Sequence, residues 1–201
     1  MTTQKLCPNC FQKGTYLGGR CEKCGYVKED RPQCALPDDY VLGQHYAVGR
    51  VITQDDVMIT YLAQDLRTEK IYALREYFPA AWAVRSGDGI HVKVQEGANA
   101  EFFQAGMDVL ENEAKIIRAL SEETILAETG DFLRKNDTAY LLMEYISGET
   151  IEEYITRTGE PIPCQQAGQI LRSVARTIED LHKLGPVSYT HLRAHETGRN
   201  L

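Results

Sequence analysis

Between residues 46 and 77 the chain carries three β-rich runs in close succession: 46–52, 59–64 and 71–77. A polar turn, Asp65-Leu66-Arg67-Thr68-Glu69-Lys70, joins the last two, and strands so closely connected pair antiparallel. Residues 101–120 then place Phe102, Phe103, Val109, Leu110, Ile116, Ile117 and Leu120 at helical spacing. Residues 140–146 read as a further strand. Ser147 or Thr150 is placed to cap a helix running to about Thr158. After Pro161 and Pro163, residues 166–184 form an amphipathic helix with Ile170, Leu171, Val174, Ile178 and Leu181 on its apolar stripe. The expected class is α+β: an antiparallel sheet with one helix, then a helical portion that only begins.

A different constraint governs the first thirty residues. Cys7-Pro8-Asn9-Cys10 and Cys21-Glu22-Lys23-Cys24 are two CxxC knuckles, and a two-residue spacing lets a tight turn aim both thiolates at one metal ion. Gly14, Gly18 and Gly19 between them suit a hairpin. Cys7, Cys10, Cys21 and Cys24 are therefore expected to hold one Zn²⁺ in a zinc ribbon over residues 1–30. Two disulfides are the alternative, and a cytosolic chain would keep them reduced. So short a segment cannot bury a useful core, so the metal would supply the folding energy. A closed four-sulfur site leaves no position open for catalysis, which makes the ribbon a structural or protein-docking module. Nucleic-acid binding through Lys5, Lys13, Arg20, Lys23 and Lys28 is the other use open to it. Cys34 and Cys164 have no paired partner and read as buried or incidental thiols. Residues 31–40, with Pro32 and Pro37 among polar neighbours, read as a linker.

Composition narrows the rest. The 201 residues are 43% hydrophobic and 25% charged, ordinary for a soluble globular protein. The formal charge of -7 argues against a general nucleic-acid surface. There is no apolar run of about eighteen residues to cross a membrane, and the first residues lead into the cysteine pair rather than a signal peptide. A cytoplasmic location is expected.

Taken in order, Ile71-Tyr72-Ala73-Leu74-Arg75, Asn112-Glu113-Ala114, Tyr140-Leu141-Leu142-Met143-Glu144-Tyr145 and Leu181-His182-Lys183-Leu184-Gly185 resemble a bacterial serine/threonine protein kinase. The resemblance covers about residues 40–185, and implies a protein-kinase-like fold over 41–185 with a complete small lobe and a partial large lobe. It implies ATP and Mg²⁺ as cofactors, a protein substrate or partner, and transfer of the γ-phosphate to protein hydroxyls in the intact parent. It places Ile52, Thr60, Ala73, Arg75, Glu113, Met143, Glu144 and Ile146 around the nucleotide. Arg75 stands at the position of the phosphate-contacting lysine, and Glu113 at that of its helix partner. Ala73 packs on the adenine, Met143 is the gatekeeper, and the backbone of Glu144 and Ile146 faces the base. The bland readings are a surface arginine and a solvated helix glutamate.

The chain departs from the family at the phosphate end. Thr53, Asp55 and Met58 occupy the three positions where glycines admit phosphate to the backbone, and Asp55 with Asp56 adds negative charge. Arg75 keeps the lysine's charge in a bulkier planar fork. No catalytic-loop Asp, Asn or DFG occurs, so no catalytic residue is assigned and the chain as it stands is expected to be inactive. A pseudokinase scaffold and a zinc-ribbon adaptor remain alternatives. His182 reads as a packing or capping residue, and His191 and His195 lack the further ligand a metal pair would need. Residues 187–197 read as the in-frame translation of a sequencing-library adapter, so 186–201 are expected to be a non-native tail.

Overall fold

The computed structural model describes residues 5–97, 100–121 and 129–183. The chain divides into two compact units. One contains Met1–Arg118 and Ala127–Ile146, and the other Ala119–Leu126 and Ser147–Leu201.

The first unit is built on a six-stranded antiparallel sheet. β3 (Val41–Leu42), β4 (Tyr46–Gln54), β5 (Met58–Asp65), β6 (Ile71–Tyr77), β9 (Thr129–Lys135) and β10 (Thr138–Glu144) lie in the order β3-β4-β5-β6-β10-β9. Two small hairpins flank it: β1 (Tyr16–Leu17) with β2 (Arg20–Cys21), and β7 (Ala83–Arg85) with β8 (Val92–Val94). Helix α1 spans Ala100–Ser121. The β-rich runs at 46–52, 59–64 and 71–77 thus appear as β4, β5 and β6. The strand expected at 140–146 starts and ends two residues earlier, because Asn136 and Asp137, both at positive φ, make the tight turn from β9 and let β10 pair from Thr138.

Both faces of the sheet are covered, which is why β5 and β10 read as nearly continuous apolar runs. Directly paired residues share a face. On the first face Met58 pairs with Tyr77, Thr60 with Arg75, and Leu62 with Ala73, which is also opposite Met143. Helix α1 lies against the Tyr77 end of this face. A Cβ on Gly106 would fall 2.0 Å from the Tyr77 hydroxyl, so only glycine allows this approach. Phe103, its ring tilted against that of Tyr77 at a centroid distance of 5.1 Å, together with Met107, Leu110 and Ala114 forms the buried stripe of the helix.

On the second face Tyr61, Leu74, Glu76, Tyr140 and Leu142 are buried. Their cover comes from the segment expected to be a linker. Ala35 and Leu36 are buried in the main core, and the Leu36 amide donates to the Tyr61 hydroxyl at 3.0 Å. Residues 31–40 are therefore part of the lobe and not a free connector. Composition misled because Ala35 and Leu36 are buried, Cys34 and Tyr40 pack beside them, and even Arg31 folds inward over the Tyr61 ring at 5.6 Å.

The second unit contributes α2 (Ile151–Thr158) and α3 (Cys164–Lys183). Of the two candidate caps, Thr150 is the one used. Its hydroxyl accepts from the Glu153 amide and the Glu153 carboxylate accepts from the Thr150 amide, completing a capping box. The side chain of His182 and the whole of residues 186–201 lie outside what is described, as do the expectations made for them.

Candidate functional site

The first face is buried at both ends and half-open between them. Tyr77 at the α1 end and Leu62 at the other are buried, whereas Thr60, Ala73, Arg75 and Met143 are only half-buried. On the second face their chain neighbours Tyr61, Leu74, Glu76 and Leu142 are fully enclosed. The strand register thus gathers four of the eight expected nucleotide residues into one strip, with the small Ala73 at its centre and the Arg75 cation toward α1. Glu144 ends β10, and Ile146, exposed, follows it out of the sheet. Ile52 lies on β4 and packs, with Tyr145, against a small cluster centred on Leu62.

Glu113 stands apart. It is exposed beside the buried stripe of α1, and among the described residues no ion pair joins it to Arg75. Two other carboxylates of α1, Asp108 and Glu111, clamp Arg134 at 2.6 and 2.8 Å. Arg134 of β9 holds both acids below their ordinary carboxylate range, with Lys115 leading at Glu111.

The phosphate end has a shape of its own. Where flexible glycines were absent from the sequence, β4 and β5 close in a tight turn stapled by Asp55. One carboxylate oxygen of Asp55 accepts from the amides of Val57 and Met58, both at 2.8 Å, while the Asp55 amide donates to the Met58 carbonyl at 3.0 Å. The turn is also tied to the sheet: Phe78 N donates to Val57 O at 2.7 Å and Ala80 N to Asp56 O at 3.0 Å. A phosphate seated on a hairpin of this kind uses free backbone N–H groups. Here an internal carboxylate already holds two of them.

The metal centre assembles as the spacing predicts. The four cysteine Sγ atoms lie within 4.8 Å of one another, with Cys7–Cys24 and Cys10–Cys21 both at 3.7 Å. A tetrahedron with metal–sulfur bonds of about 2.3 Å has edges of about 3.8 Å, and a disulfide would need about 2.05 Å. All four are free, at separations that match a shared metal rather than a disulfide, and the donor set fits Zn²⁺. Their surroundings are unequal. Burial pushes the Cys7 thiol up to about 12. The Thr15 hydroxyl, 3.4 Å from Cys21 Sγ, leads the effects that hold Cys21 down to about 6. Asn9 donates from its backbone to Cys7 and from its amide side chain to Cys24. Bonds of this kind orient metal ligands.

Sequence reasoning missed the ion-pair cluster on the second face. Glu76 is 0% exposed, and its carboxylate accepts from the Tyr61 and Tyr140 hydroxyls at 2.7 and 2.8 Å and from both terminal nitrogens of Arg85 at 2.8 and 2.7 Å. Arg85 also donates to the carbonyls of Cys34 and Ile90. Burial raises the hydroxyl pKa of both tyrosines, reinforced by the Glu76 charge. Period-two alternation across Ile71-Tyr72-Ala73-Leu74-Arg75-Glu76 puts Glu76 on the same face as Leu74, the one available hint of an acid turned inward.

Over residues 61–200 the sequence matches the phosphotransferase enzyme family (APH). The chain belongs to that family. A Dictyostelium discoideum relative named probable serine/threonine-protein kinase fnkB is 24% identical over 75 residues, 37% of this chain and 14% of that protein. Among solved structures, the apo form of PpkA-294 is similar at 25% identity and a TM-score of 0.56, over 61% of this chain and 43% of its own. A mutant Mycobacterium tuberculosis PknI kinase domain is similar at 19% identity and a TM-score of 0.53, over 75% of this chain and 53% of its own. The fold is that of protein kinases, and the chain is a kinase-like phosphotransferase fragment spanning about half or less of the proteins it resembles. The family match runs through residues 186–200, within the stretch expected to be non-native. No helix among the described residues is long and apolar enough to cross a membrane.

Proposed function

We propose that this chain is the nucleotide-binding part of a serine/threonine protein kinase whose intact, cytoplasmic, bacterial parent transfers the γ-phosphate of ATP to protein hydroxyls with Mg²⁺. The observation that supports this most is the half-open strip of Thr60, Ala73, Arg75 and Met143, whose chain neighbours Tyr61, Leu74, Glu76 and Leu142 on the opposite face are fully buried. A flat base fits beside Ala73, with the backbone after Met143 offering hydrogen bonds and the Arg75 guanidinium lying in the direction of the phosphates. Bound ATP with Mg²⁺ would supply the transferable phosphoryl group. The residues present here only seat and orient, because the sequence contains neither a catalytic-loop Asp nor the Asp of a DFG.

The Asp55 turn favours a second reading: a pseudokinase, in which the lobe binds the adenosine end or a protein partner and tolerates polyphosphate poorly. A thermal-shift series on the full chain separates the two. If the site works as in active kinases, Mg·ATP raises the melting temperature well beyond adenosine, and Arg75→Ala removes the difference. Equal shifts from adenosine and Mg·ATP support the pseudokinase. No shift from either ligand refutes the nucleotide site altogether.

A further inference from the structure

The zinc ribbon is not appended to the lobe. It is seated on the first face of the sheet, at the end of the strip opposite α1. Phe11 follows the first knuckle directly and is 5% exposed, buried with Ala47 of β4 and Leu62 of β5. Leu6, Ile52, Ile71 and Tyr145 pack against these three. The fit is tight: a Cβ on Gly49 would lie 2.3 Å from the Pro8 carbonyl oxygen and 2.8 Å from the tip of the Phe11 ring, so the strand needs glycine there. Polar contacts lock the same junction. Arg50 N donates to Pro8 O at 2.8 Å, and Arg50 Nε donates to Asn9 Oδ1 at 2.8 Å, while Asn9 Nδ2 reaches Cys24 Sγ. A continuous path thus runs from a metal ligand through Asn9 to β4.

We propose that Phe11 is a positioning residue for the base-binding end of the nucleotide strip, and that metal occupancy of the four-cysteine site sets its geometry. Leu62 is the direct neighbour of Ala73 across the β5–β6 ladder, Ile52 sits on the strand above, and Tyr145 lies between the two residues whose backbone would face the base. The cluster around Phe11 holds all three. The ribbon is too small to keep its shape without metal, so loss of zinc withdraws Phe11 and uncovers Ala47 and Leu62. Linkage makes the effect reciprocal: a nucleotide that needs the assembled wall must raise the affinity for zinc by the same factor. This rests on the nucleotide site proposed above, and the test keeps the two apart.

The experiment is amide hydrogen exchange on the full zinc-loaded chain, comparing wild type with Phe11→Ala, whose cysteines are untouched, alongside zinc content and binding of a fluorescent ATP analogue. With one zinc per chain retained, Phe11→Ala should speed exchange across 49–54 and 144–146 by about tenfold or more while β9 is unchanged. Phe11→Leu should recover most of the protection. Analogue affinity should fall by about tenfold in Phe11→Ala and recover in Phe11→Leu, and in wild type the analogue should shift the zinc equilibrium with a competing chelator toward the protein. Zinc-loaded Phe11→Ala with wild-type exchange in both segments overturns the proposal. If Phe11→Ala does not retain zinc, Phe11→Val takes its place and is judged by the same criterion. If wild type binds no analogue, the nucleotide assignment fails, while exchange still decides whether the ribbon shapes this wall.

Discussion

Replacing Arg85 by methionine should unfold the lobe far more readily than any surface change. The Arg85 side chain is 6% exposed and Glu76 0%, so the pair is shielded from water and salt. Methionine fills much of the arginine volume and can keep the contact with the Phe78 ring, which now lies 4.9 Å from the guanidinium. It leaves the Glu76 carboxylate with only the Tyr61 and Tyr140 hydroxyls, and it strips a donor from the carbonyls of Cys34 and Ile90. Breaking a buried pair on one side costs about 3–5 kcal/mol. In a protein of this size that lowers the melting temperature by about 6–20 °C. Urea unfolding followed by tyrosine fluorescence, with a double-mutant cycle against Glu76→Gln, measures the coupling directly. Because Glu76→Gln removes the charge that Arg85→Met strands, the double variant should be less destabilised than the sum of the singles by at least about 1 kcal/mol. A cost for Arg85→Met below about 1 kcal/mol, the range of exposed pairs, would refute the reasoning.

Other outcomes follow from the same geometry. Elemental analysis should find one zinc per chain, and Cys21→Ser should lower both zinc content and the melting temperature. Asp55→Gly should loosen the β4–β5 turn yet increase the Mg·ATP-dependent thermal shift relative to adenosine, since it frees the Val57 and Met58 amides; an unchanged ratio would mean the turn does not control phosphate access. The hydrogen bond from Arg67 leads the effects that hold the buried Asp65 carboxylate down to about 2, so its contribution to stability is full above the unfolded value near 4 and is lost as pH falls toward 2. Acid unfolding should therefore be less steep between pH 4 and 2 in Asp65→Asn. Re-sequencing the locus beyond the Gly185 codon should replace residues 186–201 by a continuing kinase-like frame; recovery of the same sixteen residues would refute the adapter origin.

The sheet and α1 were legible because their signals are local: β-rich runs split by short polar turns, and apolar residues at helical spacing over 101–120, of which Phe103 and Leu110 are buried while Phe102 and Val109 are exposed. The metal centre was legible for the same reason, since two CxxC knuckles need no distant information to meet. What sequence could not supply was the cover of the sheet. Leu36 is buried against Tyr61 across 25 positions of chain, and Arg85 meets Glu76 only because the β7–β8 hairpin folds back over β6. Asp55 was singled out in the sequence for its negative charge. That its carboxylate accepts from the Val57 and Met58 amides is visible only once the turn is closed.

The position of the candidate site is itself a consequence of packing. Both faces of the six-stranded sheet are packed: the second is covered by residues 34–36 with the β7–β8 hairpin, while the first is closed at one end by α1 and at the other by the ribbon. The strip between Tyr77 and Leu62 keeps Thr60, Ala73, Arg75 and Met143 half-buried, and the small Ala73 lies there beside a cation. The same ribbon that would need a metal to fold supplies one boundary of that strip. A change that weakens zinc binding would therefore widen the opening and loosen its edge together, so nucleotide affinity and metal retention should vary in parallel across variants of residues 6–11. Independent variation of the two would place the ribbon's purpose outside this site.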